Sequence, residues 1–392
     1  MTADPFWPGR HRAGETFDAA ALVRAMTAVE AAWSAEMRAR GLAPAADIES
    51  FAPTPAEIDE IARESELGGN PVIPFVHRLR AHVHRESPAA ADHIHRGLTS
   101  QDVLDSALML LAHNATGTVL AEMDRQLRTL TDLTRTHRDT LMTARTLGQP
   151  AAPTTFGLRA LGWRDDVASA ATRIRAWRAC APAQFGGAVG NLAVLTDRLG
   201  GPDSALDVTD SVALRLGLRP AQPWHTARGP VTGLGDALVT ACDAWGHIGN
   251  DIVGMTRSEL GELSEPAAPG RGGSSAMPHK RNPVLSILLR RTGSTAPLLG
   301  AQLHLAAAGS TEERADGAWH TEWATLRELT IQTLATASIA TELLTGLRVD
   351  RARMRSNLDA ALGYRLGGRD PESGLGATRT MIDRALRDEE GE

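Results

Sequence analysis

The 392-residue chain is 42% hydrophobic and 22% charged, only 4% aromatic, and carries a net charge of −6. That length supports a large buried core and more than one domain, and an alanine- and leucine-rich mix favours helix over strand. Interleaved acids and arginines without a basic block argue against a nucleic-acid partner, and nothing reads as a signal segment or a ~20-residue apolar span. The two cysteines, Cys180 and Cys242, lack metal or disulfide spacing. A soluble cytoplasmic protein with no membrane partner is therefore expected.

In chain order, Phe17 to Gly41 reads as one helix, with Leu22, Met26, Val29 and Trp33 at helical spacing. A second helix opens at Thr54-Pro55, and "GGNPVIPFVHRL" is a breaker followed by a short apolar helix. From Thr99 to Met142 there is no proline, and Leu120, Met123, Leu127 and Leu130 form a coiled-coil-like seam. Four further long helices are expected: one opened by Pro153, one from Gly229, one after Pro283 and one from Ala318. Helices of this length with apolar surface on more than one face predict a bundle with contacts between subunits. The periodicity fades after Leu347. The expectation is an all-α protein with an N-terminal helical domain (1–98), a central long-helix bundle (99–346) and a short C-terminal helical segment (347–392).

Three polar segments interrupt the helices. In "HRGLTSQDVLD", Thr99-x-x-Asp102 matches a helix-capping pair, which is the simplest account of those residues. The same helix start, with two hydroxyls and free N–H groups, also suits a carboxylate ligand. "TARTLGQPAAPTTFG" places Arg145, Thr146 and Gln149 in a loop before a helix. "GGSSAMPHKRNP" has the glycine and serine content of a mobile linker, with Pro278 inside it, yet it also holds Met277, Lys280 and Asn282. Lys280 is the only lysine among 41 basic residues. A linker has no use for such an exception.

Residues 273–282 resemble the signature Gly-Ser-Ser-x-Met-Pro-x-Lys-x-Asn of the aspartase/fumarase superfamily at every specified position. "GLTSQD", "ARTLGQPAAPTTFG" and "QFGGAVGN" resemble further shared regions in family order, so the likeness covers residues 15–350. "PAAPGRGGSSAMPHKRNPV" and "ERADGAWHTEW" most resemble the 3-carboxy-cis,cis-muconate cycloisomerase branch and its nitrosuccinate-lyase-like relatives. The resemblance implies a homotetramer whose active sites are shared between subunits, a small di- or tricarboxylate substrate, and no metal or cofactor. It implies that Ser274 is the base removing a proton next to a carboxylate, while Lys280 and Asn282 hold that carboxylate as charge develops. Thr99, Ser100, Gln101, Thr146, Gln149 and Met277 would line the substrate, with Arg314 a carboxylate clamp.

At Leu147 the chain departs from the "RTHGQ" or "RTHLQ" of the fumarase and adenylosuccinate lyase branches, whose histidine protonates the leaving group. His225, His320 and His95 remain as candidate acids, each equally well read as a structural histidine. A leaving group of low basicity suits the loss. The implied reaction is β-elimination from a substituted succinate with release of fumarate, a nitrosuccinate-type substrate being favoured. Lactone formation by a 3-carboxy-cis,cis-muconate cycloisomerase is the alternative, and adenylosuccinate cleavage fits least. The resemblance also implies a shortened C-terminal domain. Arginine's wide planar fork replaces a compact ammonium poorly. Lys280→Arg should therefore be among the most damaging single substitutions; near-normal turnover of the variant would make the lone lysine a compositional accident.

Overall fold

The computed structural model describes residues 3–277, 280–362 and 370–390. Pro278, inside the expected mobile segment, and 363–369 of the expected C-terminal segment lie outside the described residues. Helix α1 (Ala19–Ala39) starts at Asp18, whose side chain accepts from the Ala21 N–H. Helix α2 (Pro55–Gly68) has a Thr54/Glu57 capping box and proline in its first turn. Helix α3 (Val72–His84) and the one-turn α4 (Pro88–Ala91) complete the N-terminal part.

Five long helices follow in the five expected segments, with the end of the first and the start of the second displaced by a hairpin described below. They are α5 (Ser100–Thr136), α6 (Phe156–Cys180), α9 (Gly229–Met255), α10 (Val284–Ala308) and α11 (Gly317–Thr345). The short α7 (Ala193–Leu199) and α8 (Pro202–Arg215) lie between α6 and α9. Helices α12 (Arg351–Leu362) and α13 (Thr378–Glu390) end the chain. Side-chain bonds fix the bundle's directions. Trp319 on α11 donates to Asp105 on α5 near one end, and Gln126 on α5 donates to the Ala337 carbonyl farther along both. Trp245 on α9 donates to Gln126. Helices α5, α9 and α11 are therefore parallel, while α6 and α10 run the other way. Gln126 is wholly buried, and with Thr341 Oγ1 as a further acceptor its three partners satisfy an amide that burial would otherwise leave costly.

The seam residues Met123 and Leu130 are fully buried, with Leu120 and Leu127 packed beside them. Helices α9 and α10 approach closely at a glycine pair: a Cβ on Gly293 would lie 2.9 Å from the Gly246 Cα. Helix α5 departs from one expectation, because by length and composition alone it is apolar enough to cross a membrane. Of its apolar window 67% is buried inside the bundle, as in the core helix of a globular protein.

The segment expected as a loop at Arg145–Gln149 is a β-hairpin instead. Strands β1 (Leu141–Thr146) and β2 (Gln149–Thr155) pair antiparallel, with Thr146 opposite Gln149. Leu147 (φ 52°) and Gly148 (φ 78°) make the two-residue turn, the left-handed pair such hairpins need. Pro153 does not open a helix; it pairs with Thr143, and α6 begins at Phe156 capped by the Thr155 hydroxyl. A second pairing, β3 (Leu263–Ser264) with β4 (Arg348–Val349), ties the signature segment's root to the chain after α11. Helix α12 packs across the hairpin.

The close glycine contact gives a test. Gly293→Val should cost about 1–3 kcal/mol through overpacking, read as a lower Tm. Gly254→Ala, on the open face of α9, should leave Tm unchanged or slightly higher.

Candidate active site

The N-termini of the three parallel helices gather at one end of the bundle. Thr99 caps α5, and Asp102 in its first turn accepts the Thr99 N–H at 3.0 Å. Asp102 does far more than cap. Its buried carboxylate also accepts the N–H groups of Gly186 (2.8 Å) and Gly187 (2.9 Å) and the His225 Nε2–H (3.0 Å). One aspartate thus locks the glycine-rich turn of "QFGGAVGN" against the Thr99-Ser100 helix start. Ser100 is half-buried at the opening of α5.

Gln101, expected to line the substrate, is fully buried and donates to Asp105 (3.1 Å) and to the His225 carbonyl (2.8 Å). Both N–H groups of its amide are thus spent on the support beneath the site. His225 is buried with its Nε2 on Asp102 and its Nδ1 towards the Gly186–Gly190 turn, which suits a packing role better than proton donation. His320 is exposed in the first turn of α11, tilted against Trp323 at 4.7 Å. His95 is partly exposed, with Nδ1 2.6 Å from Glu30. Arg314, exposed before α11, donates to the Ala188 carbonyl at 2.9 Å, which brings it onto the same glycine-rich turn.

Beneath this end lies a buried ionic network. Arg228, the residue before α9, donates to Asp105 on α5 (2.7 and 3.1 Å) and to Glu322 on α11 (2.6 Å). Its guanidinium also lies 4.7 Å from the Trp224 ring. Burial alone would push its pKa down, but Asp105 and Glu322 outweigh that and hold it up. Burial pushes the Glu322 carboxyl up, against the opposing pull of Arg228.

The signature segment sits elsewhere. Its root is pinned by Glu265, which accepts from the N–H groups of Leu285 (3.1 Å) and Ser286 (2.7 Å) and so caps α10. Gly272 (φ +68°) accepts from the Asn282 N–H (2.8 Å) and side-chain amide (3.3 Å), closing the loop; a Cβ there would meet the Asn282 carbonyl at 2.6 Å. Within the loop the Ser274 Oγ accepts the N–H groups of Met277 (3.1 Å) and Ala276 (3.4 Å). Two N–H donors are thus aimed at that oxygen. Lys280 and Met277 are exposed, and among the described residues no bond joins the Lys280 ammonium to Ser274.

At the same end is the hairpin, its tip residues Thr146, Leu147 and Gln149 exposed. Arg145 makes a paired contact with buried Glu262 (3.0 and 2.7 Å), just before β3, and Asn357 of α12 donates to the same carboxylate.

Helix α11 measures the gap between the two ends. Glu322, next to the Thr99 end, and Glu342, which binds Arg271 of the signature segment, are 20 residues apart on it, about 30 Å at the α-helical rise. One chain does not bring Thr99 and Ser100 to Ser274.

A family model described as "Lyase" matches residues 20–296. The chain is 42% identical over 374 residues to nitrosuccinate lyase from Streptomyces davaonensis, covering 93% of this chain and 79% of that one. The chain belongs to this lyase family. It is also 40% identical over 309 residues to 3-carboxy-cis,cis-muconate cycloisomerase from Bradyrhizobium diazoefficiens, covering 78% and 67%. Its fold matches the 3-carboxy-cis,cis-muconate lactonizing enzyme from Pseudomonas putida with a TM-score of 0.85, at 29% identity over 96% of both chains. The protein is an enzyme of the aspartase/fumarase superfamily, as its motifs implied.

Reading the sequence missed Asp105, Arg228 and Glu322, and saw Asp102 only as a cap. The available signal was two acids three residues apart in one helical turn, with an arginine opening another long helix. Removing the arginine tests the network. Arg228→Met leaves two buried carboxylates uncompensated and should cost about 3–5 kcal/mol. Because burial raises the Glu322 pKa in the folded state, stability is gained as pH falls through that value and lost as it rises. The variant's deficit in urea melts should therefore be smaller at pH 5 than at pH 8.

Proposed function

We propose that the protein catalyses β-elimination from a substituted succinate with release of fumarate, and that its substrate is of the nitrosuccinate type. The observation that carries this reading is Leu147. It stands fully exposed at the hairpin tip, between Thr146 and Gln149, where the fumarase and adenylosuccinate lyase branches place an acidic histidine. A leucine donates no proton, which suits a departing group that is a weak base, and nitrite is one. The 42% identity to nitrosuccinate lyase supports the same choice.

In this reading the Ser274 alkoxide takes the proton from the carbon beside a carboxylate. The C–H electron pair becomes the new double bond, and the C–N bond breaks with its pair leaving on nitrite. Lys280 holds the carboxylate that becomes a dianion, and Asn282 uses the N–H not spent on loop closure. Thr99, Ser100 and the start of α5 bind the other carboxylate, with Arg314 beside them. Thr146, Gln149 and Met277 complete the lining.

These groups meet in a homotetramer, with the bundle of residues 99–346 as its common core. Exposed Leu298 and Leu305, one heptad apart on α10, supply apolar surface for that association. A second reading, lactone formation from a carboxymuconate, draws on the structural likeness to the lactonizing enzyme and also needs no histidine at Leu147.

The test is a substrate panel. Nitrosuccinate should yield fumarate and nitrite in equal amounts, and Ser274→Ala should lower kcat by about 10²–10⁴-fold while the oligomer stays intact by sizing. Turnover of 3-carboxymuconate without fumarate would install the second reading, and undiminished Ser274→Ala would remove Ser274 as base.

A further inference from the structure

A cavity of about 390 Å³ opens at the root of the signature segment, between the β3–β4 pairing and the stem that leads into α10. Three arginines line it, Arg271, Arg281 and Arg348. Ser274, Met277 and Lys280 do not. Asn282 is the residue it shares with the reading above, and its side-chain amide is turned to the Gly272 carbonyl (3.3 Å).

The charges of this cavity do not balance. Glu265, the acid in its wall, accepts at both oxygens from the start of α10. Glu262 nearby is spent on Arg145 and Asn357. Arg271 donates to Glu342 and to the Pro266 carbonyl (3.2 Å), yet Glu342 also serves Arg12 (2.6 Å), so one carboxylate answers two guanidiniums. The side chains of Arg281 and Arg348 are exposed and make no ion pair or hydrogen bond among the described residues. Like charges that converge on one concavity repel each other and concentrate anions there.

The ladder adds a donor. Ser264 and Arg348 are direct partners across β3 and β4, so their side chains share one face. Leu263 points the other way and is buried. The Ser264 hydroxyl has no partner among the described residues. A guanidinium presents paired N–H groups that match an oxyanion, and one doubly charged group answers two such forks.

We propose that this cavity binds a phosphate dianion, free or as the head of a small phosphate ester, between Arg281 and Arg348 with Ser264 as a further donor. Arg281 stands between Lys280 and Asn282, and the Asn282 N–H closes the segment on the Gly272 carbonyl at 2.8 Å. Arg348 is fixed in the β3–β4 ladder, and Asp350 beyond it donates its N–H to the Glu262 carbonyl (3.0 Å). An anion held by both arginines therefore ties the stem bearing Lys280 to the body of the fold. It takes no part in bond breaking, and its binding does not depend on which substrate the enzyme cleaves.

Calorimetric titration of the whole chain with inorganic phosphate, at fixed ionic strength, should show one site per chain with Kd below about 1 mM. Glycerol 3-phosphate in the same titration identifies the source: tighter binding marks the ester, equal or weaker binding marks free phosphate. Arg281→Gln and Arg348→Gln should each raise Kd by about tenfold or more. Neither arginine is paired, so both variants should keep the wild-type Tm in phosphate-free buffer, which confirms their folding. Arg348→Lys, which keeps the charge but loses the fork, should fall between. Ser274→Ala and the Thr99→Ala/Ser100→Ala double variant should bind phosphate as the wild type does. Hydrogen exchange in the peptide containing Asn282 should slow when phosphate is bound.

The absence of saturable binding up to about 10 mM phosphate overturns the proposal, as does wild-type affinity in both arginine variants. Loss of binding in Ser274→Ala or in the Thr99/Ser100 variant, or displacement of phosphate by succinate, places the anion in the catalytic centre and overturns it too. Unchanged exchange around Asn282 with phosphate bound overturns the tie between the anion and the stem.

Discussion

Arg228 is the constraint on which the rest of the structure depends. It bonds Asp105 of α5 and Glu322 of α11 from its place at the start of α9, so three parallel helices are set at one height by one guanidinium. Parallel helices bring their positive ends together, which is unfavourable unless acids lie among them. Asp102, Asp105 and Glu322 are those acids, all buried. The cost of burying them falls because Arg228, Trp319, Gln101 and the backbone N–H groups of Gly186 and Gly187 satisfy their oxygens. What remains at the surface of this end is a ring of helix starts with Thr99 and Ser100 in front, a setting matched to anionic substrates.

The same parallel arrangement forces the chemistry apart. If α5, α9 and α11 all begin at one end, the connections after α5 and α9 must lie at the other. Those connections are the hairpin and the signature segment. Glu262 joins their roots by accepting from Arg145 of β1 and Asn357 of α12. Each chain therefore carries Thr99 and Ser100 at one end and Ser274 at the other, with a helix length of about 30 Å between. In the proposed oligomer, association of copies would close that distance and would cover Leu298 and Leu305, which α10 keeps exposed.

Much of this was legible in the residues. The five long helices follow from proline-free stretches with a helical apolar period, and the start of α5 from the Thr99/Asp102 pair. The signature segment was legible as chemistry because one lysine stands among 41 basic residues. The hairpin was not foreseen. "TARTLGQPAAPTTFG" has two prolines and little alternation, and its strands are held by Arg145–Glu262 and by α12, contacts distant in sequence. The polar network under Thr99 was hidden for the same reason, since Asp105, Arg228 and Glu322 come from three separate helices. Gln101 misled because a polar residue beside two hydroxyls looks like part of the lining, whereas the helical turn points it inward.

In the proposed function the site is a joint product of ends that one chain keeps apart. The most direct measurement mixes two inactive variants, Ser274→Ala and a Thr99→Ala/Ser100→Ala double variant, under mild denaturation and reassembly. If sites draw those residues from different chains, some sites in the hybrids receive both intact regions and activity returns. If the mixture stays as inactive as either parent while mixed oligomers form, each site is built within a single chain and the account is wrong.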